Sequence, residues 1–152
     1  MWWRARTGDA DLNRAAMYEV VASGRVVGLL AYRDERPVGW LSVGRRADFP
    51  LLSASRRYGG GQDAPGTWAI TCFSVPSRER GTGVGSALLD SAIRWARDAG
   101  ASWLEAYPNR KPDYMGKLES YLARGFEIVR EAPPRTVVRL AFHAGDSKAL
   151  TG

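Results

Sequence analysis

Residues 78–89 read RERGTGVGSALL, with glycines at 81, 83 and 85, arginines ahead of them and a helix-like apolar pattern behind them. Upstream, TWAITCFSV (67–75) is a β-branched and aromatic run, which predicts a strand. Downstream, Val84, Leu88, Ser91, Trp95 and Ala99 fall on one helical stripe that Ala87, Leu89 and Ala92 widen. A helix is therefore expected from about 83 to 99, ended by Gly100. A glycine loop between a strand and a helix presents unpaired N–H groups and the positive end of a helix dipole. Glycine has no Cβ to hold a bulky anion off the backbone. Such a loop suits a phosphate. Each dipole contact contributes only ~0.3–1 kcal/mol, so several N–H groups have to converge. Arg78 and Arg80 can add charge-assisted bonds.

Two familiar phosphate loops do not fit. A Walker A loop needs Lys-Ser/Thr after its last glycine, and none follows here. The dinucleotide fingerprint needs a third small residue that falls on Ser86 counted from Gly81, or on Leu88 counted from Gly83. Glu105 does lie about 20 residues on, in a strand, where that fold has its ribose-binding acid. Yet residues 106–152 hold one helix and a hairpin rather than further strand–helix–strand units. What is left is Arg80-Gly81-Thr82-Gly83-Val84-Gly85, an R-x-x-G-x-G pattern.

Outward from the loop, SWLEAY (102–107) reads as a strand. With TWAITCFSV before the helix it makes a parallel pair joined by a crossover. A shorter helix is expected over about 113–123, with Gly125 after it, then a hairpin of FEIVR (126–130) and RTVVRLAF (135–142) around Pro133–Pro134. Toward the N-terminus, DLNRAAMYEVVA (11–22) suits a helix capped by Asp9 or Asp11 and followed by Gly24. VVGLLAY (26–32) and PVGWLSVG (37–44), joined by RDER, suit an antiparallel hairpin with Pro37 at a strand start. Residues 45–66 read as one irregular loop with Arg45, Arg46, Arg56 and Arg57 in it. A loop of that length is either functional or a plain surface connection.

The 152 residues suit one domain, expected over 1–145 with 146–152 as a flexible tail. No apolar run reaches the ~20 residues of a membrane span. MWWRARTGDAD is too short and too charged for a secretory signal, so a cytoplasmic protein is expected. The net charge of +6 attracts anions, either nucleic acid or a polyphosphate. No recognition helix or RNP-like aromatic motif supports nucleic acid. Cys72 and His143 are the sole residues of their kinds. An internal disulfide is excluded, no metal is expected, and Cys72 has no histidine placed to activate it as a nucleophile.

The R-x-x-G-x-G pattern resembles the acetyl-CoA diphosphate loop of the GNAT superfamily of N-acetyltransferases. The order hairpin, strand, loop–helix, strand, helix, hairpin is also that superfamily's order, over nearly the whole chain. GLLAY, PVGWLSVG, DFPLL, CFSV and LEAYP are similar to stretches of a bacterial subgroup. The resemblance implies an α/β fold with a mixed, mostly antiparallel sheet, a splayed parallel strand pair and flanking helices. It implies that Cys72, Phe73, Ser74 and Val75 bind the pantetheine arm through backbone groups, Phe73 and Val75 foremost. Arg80, Gly81, Thr82, Gly83, Val84, Gly85 and Ser86 would hold the diphosphate. An N–H near Phe73 or Ser74 would take the acetyl carbonyl, the oxyanion-hole logic.

The resemblance also implies acetyl transfer from acetyl-CoA to a primary amine by direct attack, the amine belonging to a small molecule or to a protein. Tyr121 in SYLARGF stands where many members have the acid that protonates the departing thiolate. Its alternative is a core aromatic. Many members carry a glutamate where this chain has Ala69, which leaves Glu105 as the substitute base or as the partner of an arginine. Tyr114 stands where many have an asparagine, lining the CoA channel or packing. The missing glutamate also admits a non-catalytic acyl-CoA-binding or sensor module, and the family admits a homodimer. The family's first strand should precede the first helix. MWWRAR is then a remnant of it or the chain begins late, with Trp2 and Trp3 over a sheet edge.

Overall fold

The computed structural model describes residues 3–4, 7–59, 64–111 and 113–143. Trp2 and the 146–152 tail lie outside the described residues. Helix α1 spans Ala10–Ala22, and the Asp9 carboxylate accepts from the Asp11 and Leu12 N–H groups at 2.8 and 3.0 Å. Strands β1 (Leu29–Arg33) and β2 (Arg36–Arg45) form an antiparallel hairpin. Its turn residues Asp34 and Glu35 both have positive φ, which matches the right-handed twist of the strands it joins. After α2 (Pro50–Ser53) come β3 (Thr67–Ser74), α3 (Val84–Asp98), β4 (Trp103–Ala106), α4 (Leu118–Leu122), β5 (Glu127–Ala132) and β6 (Arg135–Ala141).

The strands make one sheet in the order β1-β2-β3-β4-β6-β5, and β3–β4 is its parallel pair. This is the mixed, mostly antiparallel arrangement that the resemblance implies. Helix α3 covers one face over Ile70, Leu104 and Val138. The other face packs Ala69, Tyr107 and Val137 against Phe49 and Leu52. The buried stripe of α3 runs in steps of four through Val84, Leu88, Ala92 and Ala96, with Leu89 beside it. Ala87 and Ala99, expected on that stripe, are exposed. Gly39 lets the first turn of α3 close on β2, because a Cβ there would lie 2.7 Å from Val84.

Two expectations change. The stretch 45–66 is more ordered than its composition suggests. It contains 3-10 turns at Arg46–Asp48 and Arg56–Tyr58 beside α2, and Phe49 and Leu52 bury its middle. The helix expected over 113–123 shrinks to α4. The Asp113 carboxylate accepts from the Met115 N–H at 2.9 Å, and Gly116 has a φ of +78°, so the chain turns there instead of coiling.

Candidate active site at the parting of two strands

Strands β3 and β4 pair from Thr67–Trp103 to Ile70–Ala106 and then stop. The cause lies on the other side of β3. Ser42 of β2 pairs with Cys72 and Val43 pairs with Ile70, so Thr71 is one residue too many. This β-bulge bends β3 and shifts its alternation. Trp68 and Ile70 face α3 before it, and Phe73 and Val75 pack on that side after it. Strand β3 continues along β2 to Ser74, which pairs with Trp40, whereas β4 ends at Ala106. A fork opens between them.

The glycine loop lies at the mouth of that fork. Gly83 caps α3 in the left-handed region at φ +86°, with no side chain bonded to the helix start. The first-turn N–H groups of Val84, Gly85 and Ser86 have no acceptors within the helix. Gly81 is also left-handed, and neither Gly81 nor Gly83 has an atom within 4 Å of where a Cβ would stand. Gly85 lies against the Phe73 ring, 3.5 Å from a built Cβ, which brings the helix start onto the fork strand. Arg80 is exposed, and its Nε donates to the Val75 carbonyl at 3.2 Å.

Sequence reading missed what holds this loop in place. Glu79 is 3% exposed and accepts from Arg33 at 2.6 Å and from Arg36 at 3.2 Å, both on the β1–β2 hairpin. The Thr82 hydroxyl donates back to the Glu79 carbonyl at 2.7 Å. The signal was present as two arginines flanking a tight turn and an acid inside RER. Charges in such runs read as solvated.

Across the fork lies a strap of residues 113–116. The Phe73 N–H points into the fork and donates to the Tyr114 carbonyl at 2.5 Å. The Tyr114 side chain is exposed, so this residue reaches the fork through its backbone. Tyr121 is fully buried, edge-on to Phe126, and its O–H donates to the Met115 carbonyl at 2.7 Å. Burial pushes its phenol pKa well up, and nearby Asp113 and Cys72 push the same way, so the group keeps its proton. Cys72 is half-buried, and burial raises its thiol pKa as well.

Behind the fork, on the face away from α3, is a cavity of about 330 Å³. Thr71 and Cys72 form its rim at the fork, and Trp40, Phe49 and Met115 form much of its wall. Arg4, Asp113 and Arg135 line it too. Asp113 pairs with Arg135 at 2.8 Å. The Arg4 guanidinium lies over the Phe49 ring at 4.3 Å and donates to the Asp48 carbonyl at 2.8 Å.

Glu105 does not reach this cavity. It pairs in register with Ala69 on the paired part of β3–β4. One carboxylate oxygen accepts from the Arg139 Nε at 3.0 Å, and the other from the Tyr107 hydroxyl at 2.6 Å, with the Arg46 Nε at 3.1 Å. It lines a separate cavity of about 240 Å³ together with Arg46 and Arg139. Burial and the Glu105 charge push the Tyr107 hydroxyl pKa well up, so it stays a donor. Among the described residues no cluster of three or more His, Cys, Asp or Glu is placed to hold a metal ion, and no helix is long and apolar enough to cross a membrane.

Comparison with known proteins gives this geometry a family. Residues 2–114 match the model of the acetyltransferase (GNAT) family, and the chain belongs to that family. No curated protein matches the sequence. Among solved structures, the ribosomal-protein-alanine N-acetyltransferase of Brucella melitensis is similar at 19% identity and a TM-score of 0.60, over 92% of this chain and 83% of that one. A GNAT-family acetyltransferase from the same organism, in complex with acetyl-CoA, is similar at 19% identity and a TM-score of 0.54, over 93% of this chain and 75% of that one. At such identities the likeness speaks to the fold.

Proposed function

We propose that this member of the GNAT acetyltransferase family moves an acetyl group from acetyl-CoA to a primary amine, both bound at once. The fork carries the reading, because there a strand edge covered by the 113–116 strap lies beside a helix start that is open to an anion. The residues suit coenzyme A. The space beyond Gly81 and Gly83 is open where any side chain would intrude, and the adjoining N–H groups converge on one helix terminus. A neighbour of the same fold is known as its complex with acetyl-CoA.

In this proposal the backbone from Arg80 to Ser86 holds the diphosphate, and the fork edge of Cys72 to Val75 holds the pantetheine arm. When bound, acetyl-CoA supplies an acetyl group activated as a thioester. The Phe73 N–H is the donor for the developing oxyanion. For that the Tyr114 carbonyl must leave it, so seating the cofactor displaces the strap. Tyr121, released from Met115 by the same movement, is the acid that returns a proton to sulfur. The cavity behind Thr71 and Cys72 receives the acceptor. Glu105, with both oxygens engaged, orders the sheet instead of acting as base.

Calorimetry with acetyl-CoA, paired with an assay of CoA-thiol release over a panel of amines, tests the reading. Saturable binding with amine-dependent release is expected, and no binding would refute it. Ala69, in place of the family's usual glutamate, favours a second reading: an acyl-CoA-binding module without turnover. Binding without release under any amine selects that one.

A further inference from the structure

We infer that the acceptor is an aromatic amine, one whose nitrogen is already unprotonated at neutral pH. The inference rests on the acetyl-transfer reading and names its second substrate. Among the described residues, five titratable side chains line the fork cavity: Arg4, Cys72, Asp113, Tyr114 and Arg135. Neither the carboxylate nor the thiol among them is a free base. Asp113 is the one carboxylate among them, and it already accepts from Arg135 at 2.8 Å, the Met115 N–H at 2.9 Å and the Asn109 amide at 3.3 Å. Cys72 holds its proton. Arg4 and Arg135 are cations, and the Arg4 Nη2 is buried with no partner. Ala69 on β3 offers no carboxylate, and Glu105, its register partner, is tied to Arg46, Tyr107 and Arg139 outside the cavity.

An alkylamine meets two obstacles in such a place. Its conjugate acid has a pKa near that of lysine, about 10.4, so at neutral pH only about one molecule in a thousand or fewer carries a free lone pair. Its ammonium form would also leave water for a wall that holds two guanidinium groups and one neutralised carboxylate. An aromatic amine meets neither, because conjugation with the ring keeps its nitrogen unprotonated. Its flat apolar body suits a wall made of Trp3, Trp40, Phe49, Met17 and Met115. The transfer balances without a base. The N–C bond to the acetyl carbon forms, the C–S bond breaks, one proton leaves nitrogen for water, and one reaches the CoA sulfur, from Tyr121 or from water.

The isomers p-toluidine and benzylamine, nearly equal in size, test the inference on the full chain with acetyl-CoA. At neutral pH p-toluidine should exceed benzylamine in kcat/KM by at least about tenfold. Its rate should stay flat from about pH 6.5 to about pH 9, while that of benzylamine climbs about tenfold per unit over the same range. Calorimetry of the CoA-saturated protein at neutral pH should show heat with p-toluidine and none with benzylamine. Equal or better use of benzylamine, or a p-toluidine that neither binds nor reacts, overturns the inference. A prior titration with acetyl-CoA separates the two claims. Without heat there, the acetyl-transfer reading falls and takes this inference with it; with heat there, a failed preference removes this inference alone.

Discussion

The β3–β4 pair has a sealed end and an open end. At the sealed end the Ser102 N–H donates to the Gly66 carbonyl at 3.0 Å, Trp68 stacks edge-on with Trp95, and Glu105 joins Arg46 and Arg139. At the open end one surplus residue, Thr71, ends the pairing, and the strand edge is covered by the 113–116 strap, which bonds to it through the Phe73 N–H. One strand is thus scaffold up to Ile70 and, in the proposed function, docking edge beyond Thr71. The sealed end is held by buried charge and ring packing, so changes there should reach stability first. The open end is held lightly, so changes there should reach binding and turnover first.

The largest effect is expected from Glu105→Ala. It strips the carboxylate from two arginines, of which Arg46 is buried, and such a loss costs about 3–5 kcal/mol. Thermal unfolding should fall by about 2–4 °C for each kcal/mol lost. A variant that kept its melting point and lost turnover would instead make Glu105 the base.

At the open end the order reverses. Gly83→Glu places a like charge at the proposed diphosphate site, and a loss of at least about tenfold in acetyl-CoA affinity is expected, equivalent to about 1.4 kcal/mol. The left-handed backbone at Gly83 makes the stability cost about 1–2 kcal/mol. Unchanged affinity in the calorimeter would move the cofactor elsewhere.

Glu79→Gln lies between the two. Its partners Arg33 and Arg36 are about half exposed, so the fold should lose only about 1–3 kcal/mol. The loop, released from the hairpin, should bind acetyl-CoA several-fold more weakly. The smallest structural effect is expected for Tyr121→Phe. Deleting the hydroxyl removes one bond to Met115, about 1 kcal/mol. A fall in kcat with no loss of acetyl-CoA affinity would mark Tyr121 as the acid, and an unchanged kcat would leave it a core aromatic.

The element order and the glycine loop were legible because glycine spacing and apolar period are local signals. The bulge was not. TWAITCFSV reads as one unbroken strand, since no glycine or proline marks Thr71 and its surplus shows only against β2. In the sequence the strap reads as helix, because the turn at Asp113 depends on a side chain folding back. The partners of Glu105 are not legible in the sequence: Arg46 and Arg139 lie far along the chain, and nothing marks that Tyr107, two residues on, turns its hydroxyl onto the carboxylate. Glu79 is illegible for the same reason: its arginines sit more than forty positions upstream.

The Phe73 amide is the group that changes partner when the cofactor enters the proposed site. In a 15N–1H spectrum, titration with acetyl-CoA should shift that resonance saturably, together with those of Gly81, Gly83 and Gly85, as its partner changes from the Tyr114 carbonyl to the ligand. Saturable binding that left the Phe73 and glycine amides in place would contradict a cofactor held in the fork.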